Sequence, residues 1–292
     1  MASLFSKLKS NINTTESEGI NAGKVIAFLN QKGGVGKTTM AYNTACALGE
    51  RGHKVLCLDL DPQSNLTLLF DVEKSGEYHI HHLLINSVRE LKPLHVPAII
   101  SDVVINKGKV DILPTGQELS GFELTVAGIT APRQLILSRF LEKNNLLEEY
   151  DYIVIDCPPT LGLLVVNILC ASHGVMIPFR PDEFSRKGLS HFYEVLEDVG
   201  DMGLTRSPDI LAHIPNMVDL RRKQEASDLE KIISEITVGE TVAPFLNRAQ
   251  LVKSQAQRKS VYDFKGKEFL GLQEQFNNLA HIITDWNEQY EH

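Results

Sequence analysis

The chain has 292 residues, of which 43% are hydrophobic and 23% are charged. These values are ordinary for a globular protein and exclude a wholly disordered or fibrous chain, and this length accommodates one or two domains. The net charge of −8 argues against a strongly basic nucleic-acid binder, although it leaves room for a local basic surface.

The hydrophobic pattern predicts short buried strands that alternate with helices. Strands are expected at residues 25–30, 55–60, 110–113, 152–155, 175–179 and 210–217. Helices are expected at residues 38–50, 134–147, 161–171, 188–199, 224–236 and 268–288. Pro93 and Pro97 break the stretch from 78 to 105 into short pieces. The alternation indicates an α/β fold, with a doubly wound, mostly parallel sheet covered by helices on both faces.

Residues 1–21 are expected to form a flexible N-terminal extension, and residues 22–292 a single domain. The extension is rich in polar residues and contains no apolar run typical of a signal peptide. The most apolar stretch, 161–179, predicts a buried helix and strand rather than a membrane span, because polar and helix-breaking residues interrupt it. These are Asn167, His173, Gly174 and Pro178.

The cysteines lack the spacing of a metal site and are expected to be buried thiols of a cytosolic protein. They are Cys46, Cys57, Cys157 and Cys170.

The strongest motif lies between the first predicted strand and the first predicted helix. It reads Gln31-Lys32-Gly33-Gly34-Val35-Gly36-Lys37-Thr38-Thr39. Glycines let backbone N–H groups close around phosphate oxygens, and the helix N-terminus that follows favours anions. Lys37 can reach the β- and γ-phosphates of a nucleotide, and the Thr38 hydroxyl can bind Mg²⁺. Gln31 replaces the usual glycine and Lys32 adds a second lysine, so this is a deviant Walker A loop (P-loop).

Two further motifs follow in the chain. They are Asp59-Leu60-Asp61-Pro62-Gln63-Ser64-Asn65 and Ile153-Val154-Ile155-Asp156-Cys157-Pro158-Pro159. Together with the P-loop, they resemble the ParA/MinD branch of phosphate-loop ATPases, and within it the ParA-type partition and positioning ATPases. The resemblance extends through most of residues 24–270.

The resemblance implies a homodimer that holds ATP and Mg²⁺ between its two subunits. In such a dimer Lys32 crosses the interface to the partner's phosphates and acts as an arginine finger does elsewhere. Lys32, Lys37 and Asp61 are then the expected catalytic residues. The expected nucleotide contacts in the loop are Lys32, Gly33, Gly34, Val35, Gly36, Lys37, Thr38 and Thr39.

Acidic residues follow two of the predicted strands, at the sheet edge where open α/β sheets bind ligands. By similarity to the family, Asp61 orients the attacking water and Asp59 supports the metal shell. A turn-initiating Asp61-Pro62 pair is the alternative interpretation. Asp156 ends an apolar strand, and in a phosphate-loop protein it is expected to hold a Mg²⁺-bound water rather than to serve as a cap. The expected metal residues are therefore Thr38, Asp59 and Asp156.

The resemblance also suggests which residues contact adenine. Asn216 and Met217 lie in a segment similar to the family segment whose asparagine meets the adenine edge. Pro244 and Phe245 lie in a second segment that flanks the base. An ordinary hydrogen-bonded loop amide is the alternative explanation for Asn216.

Basic residues are concentrated near the C-terminus, where six lie between residues 248 and 267 against Asp263 alone. In ParA-like proteins such residues contact the DNA backbone in the ATP dimer without reading sequence. The residues expected to do so are Arg221, Arg222, Arg248, Lys253, Arg258 and Lys259. Solvated loop charge is the alternative. The family often has Arg-Asn-Val-Arg where this chain has Phe245-Leu246-Asn247-Arg248, so one basic position is missing.

The sequence therefore predicts a cytoplasmic, nucleoid-associated ATPase switch. It would dimerise with ATP, bind DNA nonspecifically, and position a plasmid, chromosome or protein assembly through a ParB-like or other adaptor that stimulates hydrolysis. A MinD-like membrane-surface ATPase is one alternative, but it needs a basic amphipathic C-terminal helix, and this chain ends in the acidic segment 286–292. An ATP-using metabolic ligase of the same superfamily and an idle nucleotide-gated scaffold are the others.

Overall fold

The computed structural model describes residues 22–72 and 76–290, so the predicted N-terminal extension, residues 1–21, lies outside the described residues. The strands are β1 (Lys24–Phe28), β2 (Val55–Asp59), β3 (Ile105–Asn106), β4 (Val110–Leu113), β5 (Tyr152–Asp156), β6 (Gly174–Phe179), β7 (Asp209–Pro215) and β8 (Glu240–Thr241).

The α-helices of the described residues fall into two groups along the chain. The first group is α1 (Lys37–Glu50), α2 (Asn65–Leu69), α3 (Ile80–Ser87), α4 (Ile100–Val103), α5 (Phe122–Thr125), α6 (Ile136–Lys143) and α7 (Leu146–Glu149). The second group is α8 (Leu163–Ala171), α9 (Glu183–Asp201), α10 (Lys223–Glu235), α11 (Ala249–Ala256) and α12 (Lys267–Tyr290).

The strands form one sheet in the order β3-β4-β2-β5-β1-β6-β7-β8. All neighbouring strands pair in parallel except β3, which runs antiparallel to β4 at one edge. The central strands β1, β2, β5 and β6 are buried along their whole length. This burial explains why their sequences read as continuous apolar runs. The predicted doubly wound α/β fold is confirmed.

Two hydrophobic layers cover the sheet. One layer contains side chains of α3, α6, α8, α9 and α10. The other contains side chains of α1, α2, α11 and α12. The P-loop helix α1 and the C-terminal segment with its basic residues therefore pack on the same side of the sheet.

Three features differ from the predicted elements. The single helix predicted at 134–147 is wrong: a 3₁₀ turn at Arg133–Leu135 leads into α6, and Asn145 separates α6 from α7. Asn145 adopts a φ of 52°, a left-handed conformation that an α-helix interior does not permit. The edge strands β3 and β8 and the helices α2, α5 and α11 were not predicted. Each edge strand is only two residues long, which is too short for a detectable alternation.

Parallel pairing aligns the carboxyl ends of the central strands. Asp59 at the end of β2 lies opposite Asp156 at the end of β5, and Phe28 at the end of β1 lies opposite Asp156 on the other side. The P-loop follows β1 directly. The motifs that are far apart in sequence therefore meet at one edge of the sheet.

Candidate nucleotide site

Two glycines of the P-loop adopt backbone conformations with positive φ values, which other residues rarely adopt. Gly34 and Gly36 have φ values of 71° and 93°, which side chains rarely tolerate. A Cβ on Gly36 would also lie 2.2 Å from the Asn216 Nδ2 atom, whereas a Cβ on Gly33 or Gly34 would meet nothing within 4 Å. The loop thus packs against Asn216 on one side and leaves an open concave face on the other, which suits the approach of an anion to backbone N–H groups.

This open face borders a cleft of about 540 Å³. Its lining residues are Gly33, Gly34, Gly36, Lys37, Thr38, Thr39, Asp61, Gln63, Asn65, Leu68, Leu69, Pro159, Met217, Gln255 and Arg258. Much of the predicted nucleotide-binding set therefore lies in one place. The volume is within the range of small-molecule pockets in proteins.

Lys37 begins α1 at the base of the cleft and is only 7% exposed. Burial lowers the pKa of its ammonium group, while the nearby Asp156 and Asp61 carboxylates and the Cys157 thiol act in the opposite direction. A buried cation beside open space at a helix N-terminus is a strong anion site, because low local polarity strengthens charge interactions.

Asp156 is fully buried, and neither of its carboxylate oxygens forms a well-aligned hydrogen bond among the described residues, although the Thr38 hydroxyl is close enough to lower the pKa of Asp156. Burial raises the pKa of Asp156 well above its usual value, and the negative charge of the adjacent Asp59 carboxylate is the second cause of this shift. An unsatisfied buried carboxylate is costly, and a cation or a cation-bound water would satisfy it. These observations fit the Mg²⁺ that was predicted here, with Thr38 at the rim of the cleft as the other protein ligand.

Asp59 is fully buried like Asp156, but its oxygens are already engaged. Its Oδ2 atom accepts hydrogen bonds from the Thr67 backbone N–H (2.8 Å) and the Thr67 hydroxyl (2.7 Å), and Oδ1 accepts one from the Asp61 N–H (3.2 Å). Burial raises the pKa of Asp59 to about 6, although these hydrogen bonds oppose the shift. Asp59 thus fixes the segment that carries Asp61. Asp61 is the residue predicted to orient the attacking water.

Asp61 is 7% exposed and lines the cleft. Its Oδ1 atom accepts a hydrogen bond from the Gln63 N–H at 3.0 Å, and its carbonyl accepts one from the Ser64 N–H at 2.8 Å. The turn anticipated for Asp61-Pro62 is therefore present. The same turn holds the carboxylate over the cleft, so the structural and catalytic interpretations are compatible.

Lys32 is placed differently from the cleft residues. Its ammonium group forms an ion pair with Asp182 of the same subunit, and about a third of each side chain is exposed. Asp182 also caps α9, accepting a hydrogen bond from the Ser185 N–H at 2.9 Å. Although burial acts to raise the pKa of Asp182, the contacts with Lys32 and Ser185 lower it overall. Lys32 is thus held within its own subunit.

The predicted adenine residues lie next to the loop. The Asn216 amide donates a hydrogen bond to the Val35 carbonyl at 2.8 Å, while its Oδ1 atom is buried without a partner in the described chain. Met217 has a φ of 55° and lines the cleft. Pro244 lies outside this lining, in the segment that pairs with 215–218 through the Phe245 N–H and the Pro215 carbonyl. Asn216 therefore supports the loop, and its predicted contact with adenine stays a prediction.

The predicted DNA-binding residues fall into two surface regions. Arg221 and Arg222 both pair with Asp219, and Arg222 also pairs with Glu225, at nitrogen–oxygen distances of 2.8–3.7 Å. The second region surrounds α11, where Arg248, directly before the helix, is half-buried and Lys253 and Lys259 are exposed. Arg258 is exposed and forms an ion pair, with its guanidinium 2.7 Å from the Asp71 carboxylate.

Several cleft residues were not predicted. They are Gln63, Asn65, Leu68, Leu69, Pro159, Gln255 and Arg258. Gln63, Asn65 and Pro159 belong to motifs quoted from the sequence, so their position was accessible to inference. Gln255 and Arg258 follow no motif, and only the packing of α11 against α1 brings them to the cleft.

The thiols agree in part with the prediction. Cys57, Cys157 and Cys170 are buried, whereas Cys46 is half-buried, and none of the four forms a disulfide.

In residues 22–72 and 76–290 no group of three acidic, histidine or cysteine side chains is arranged to hold a metal ion by itself. None of the described helices combines the length and the apolar character that crossing a bilayer requires.

Residues 23–207 match the family model described as the AAA domain. The chain is 39% identical to the sporulation initiation inhibitor protein Soj of Bacillus subtilis over 169 residues, which cover 58% of this chain and 62% of Soj. Its fold resembles that of McdA from Cyanothece, solved as an ATP complex of a variant, with a TM-score of 0.73, at 20% identity over 90% of this chain and 97% of that one.

A third similarity is to cobyrinic acid a,c-diamide synthase of Mycobacterium smegmatis, solved with a bound ATP analogue and magnesium. Its TM-score is 0.67, and 26% of residues are identical over 81% of this chain and 93% of that one. With its three motifs at one sheet edge, the chain has the fold and site of a P-loop ATPase. It belongs to the AAA domain family and is a ParA-type member of it.

Proposed function

We propose that this protein is an ATPase switch that binds ATP with Mg²⁺, forms a homodimer around it, and hydrolyses it. The observation that carries the proposal is the P-loop cleft, in which Lys37, Thr38 and Asp61 share one lining beside the buried Asp156 carboxylate. The chain supplies a cation for the phosphates, a hydroxyl and a carboxylate for the metal, and a second carboxylate for water.

Each protein group has a defined task in this proposal. Lys37 and the loop N–H groups hold the phosphates, and the glycine φ values make the close approach possible. Asp61, fixed by its turn, is positioned to orient a water molecule at the edge of the cleft. Mg²⁺, when bound with the nucleotide, would neutralise phosphate charge, with Thr38 as a ligand and Asp156 reaching it through water.

In its complete form, the proposed switch acts in the cytoplasm on the nucleoid. The ATP dimer binds DNA without sequence preference, and a ParB-like or other adaptor stimulates hydrolysis and releases it, so that a cargo is positioned. Supporting this are the relationship to Soj and the exposed basic side chains of the C-terminal segment. Dimerisation would double the number of phosphate contacts to DNA. Because the proposed dimer forms only with ATP, DNA binding should depend on ATP.

A metabolic ligase is the second candidate, favoured by the 26% identity to a diamide synthase. The two proposals differ in what ATP turnover requires. A switch hydrolyses ATP slowly by itself and faster with its adaptor, whereas a ligase needs a small-molecule acceptor. A MinD-like membrane switch is disfavoured, because α12 uses its apolar face in the core. The buried residues on that face are Phe269, Leu272, Phe276, Leu279 and Ile283.

The deciding experiment is size-exclusion chromatography with light scattering on Asp61→Ala. This variant should bind ATP and accumulate as a dimer while hydrolysing ATP at least about 100-fold more slowly than the wild type, because the water loses its orienting group. Lys37→Ala is the matched control and should stay monomeric because it cannot hold the phosphates. An Asp61→Ala protein that remains monomeric with saturating ATP would contradict the dimer assignment.

A further inference from the structure

Arg258 lies in the wall of the nucleotide cleft although it belongs to no nucleotide-binding motif. It lines the 540 Å³ cleft together with Lys37, and it also lines a neighbouring cavity of about 430 Å³. Leu69 is the other residue that borders both spaces. Arg258 and Leu69 therefore form the partition between them. Lys37 and Arg258 are the cationic side chains among the residues lining the cleft.

The segment that carries Arg258 is fixed to the P-loop helix at both ends. The Gln255 amide donates a hydrogen bond to the Thr39 hydroxyl, and the Val261 N–H donates one to Asn43 Oδ1 at 2.9 Å. Thr39 and Asn43 are one turn apart on α1. Arg258 lies two residues beyond the last residue of α11, with a φ of 51°, and its N–H donates a hydrogen bond to the Gln255 carbonyl at 3.0 Å. These two hydrogen bonds to α1 therefore hold the segment with Arg258 beside the cleft.

The ion pair that Arg258 forms with Asp71 lies at the surface of the protein. Its guanidinium is 2.7 Å from the Asp71 carboxylate, and the two side chains are 39% and 62% exposed. Hydrogen bonding from Arg258 lowers the pKa of Asp71. An exposed ion pair of this kind contributes little stability, so a phosphate group with several negative charges can compete for the guanidinium. Asp71 holds Arg258 at the rim without removing it from the cleft.

We propose that Arg258 is a nucleotide-binding residue, which contacts the bound nucleotide from the wall of the cleft, rather than a contact to DNA. The inference rests on the proposed function, since it places the nucleotide in this cleft. It also explains why an arginine occupies a left-handed position that glycine or asparagine would adopt at lower cost.

The test is isothermal titration calorimetry with ADP and with AMPPNP, each with Mg²⁺. Arg258→Gln should weaken the binding of both nucleotides about tenfold, the expected effect of losing one charge-assisted contact. Arg258→Gly removes the same charge while suiting the φ of 51°, so it should fold at least as well as the wild type and show the same loss. Lys259→Gln is the matched control on the neighbouring exposed residue and should bind as the wild type does.

Asp71→Asn separates a direct contact from a structural one. Asn tolerates the φ of 53° at this position, so the turn is preserved while the ion pair is lost. If Arg258 contacts the nucleotide, Asp71→Asn should keep wild-type affinity within about twofold. An affinity loss in Asp71→Asn equal to that in Arg258→Gln would overturn the inference, as would wild-type affinity in both Arg258 variants. If the wild type binds neither nucleotide, the proposed function itself fails, and loss of binding in Lys37→Ala confirms that the assay reports on the cleft.

Discussion

Lys32 has a partner in its own subunit that any action on a second subunit must first displace. Its ammonium group pairs with Asp182, and the backbone N–H of Lys32 is tied to Asn30 Oδ1 at 2.9 Å. With about a third of each side chain exposed, this ion pair is worth at most about 1 kcal/mol. An intersubunit contact to a phosphate can exceed that value. In the proposed dimer, the crossing of Lys32 to the partner subunit therefore requires the Asp182 contact to open.

A substitution at Asp182 tests this order of events. Asp182→Asn keeps a side chain that caps α9 well, but it removes the charge that holds Lys32. The variant should dimerise with ATP at a protein concentration several-fold lower than the wild type, because each subunit no longer loses an ion pair. Analytical ultracentrifugation over a concentration series measures this shift.

Lys32→Ala supplies the opposing result. It should bind ADP as the wild type does, because in the proposed dimer Lys32 contacts only the partner subunit's phosphates, but it should form a weaker dimer and lose ATP hydrolysis. Wild-type turnover in Lys32→Ala would show that the second lysine is merely solvated. An unchanged dimerisation concentration in Asp182→Asn would show that the ion pair does not restrain Lys32.

At the scale of elements, local patterns predicted the parts of the site that lie close together in sequence. The strand β1, the glycines and α1 form one continuous segment, so spacing alone located Gly33, Lys37 and Thr38. The carboxyl ends of β2 and β5 were also predictable, since parallel strands place Asp59 and Asp156 at one edge. The wall formed by α11 was not predictable, because Gln255 contacts Thr39 across 216 positions of sequence. Such contacts depend on how helices pack, which periodicity does not specify.

A histidine at the start of β6 gives the sheet a pH dependence. His173 Nδ1 accepts a hydrogen bond from the Val25 N–H at 3.0 Å, so it joins the loop before β6 to β1. Burial, followed by the nearby Lys24 and Arg206 charges, lowers the pKa of His173 to about 4. The folded protein thus resists protonation of His173, whereas the unfolded chain takes up the proton near the ordinary value of about 6.5. Stability from this group is present above pH 6.5 and is lost as the pH falls toward 4.

His173→Asn should flatten the acid side of the stability profile. Asn offers an acceptor near the position of Nδ1 and does not titrate, so the Val25 N–H keeps a partner. Between pH 6.5 and 4 the wild type should lose up to about 1.4 kcal/mol per pH unit more than the variant in free energy of unfolding. Urea unfolding at several pH values measures this, with His191→Asn as an exposed control. Parallel profiles for the wild type and His173→Asn would contradict the assignment.

For the whole molecule, the distribution of charge matters more than its sum. The net charge of −8 repels DNA, so the proposed DNA binding requires a local basic surface, which we place on the side of the sheet where α1, α11 and α12 pack. Arg221 and Arg222 are paired with acidic neighbours, and Arg258 lines the cleft, which leaves Lys253 and Lys259 as the exposed members of the predicted set with no ion pair among the described residues. Lys253 lies 5.4 Å from the centre of the Phe264 ring, which orients its stem on the surface.

If this surface binds the phosphate backbone, binding should require ATP, ignore sequence, and weaken steeply with salt. The double variant Lys253→Gln/Lys259→Gln should keep basal ATPase activity, since neither residue lines the cleft as described. In a dimer it loses four potential phosphate contacts, so the slope of log K against log salt should decrease by about 3–4.

Lys143→Gln is the matched control, because Lys143 is exposed on α6, which packs on the opposite side of the sheet. The measurement is a mobility or filter-binding assay on random-sequence duplex with ATP, ADP and no nucleotide. If the wild type does not bind with ATP at low salt, the switch must act on a protein or membrane surface, and the charge of α11 serves only solubility.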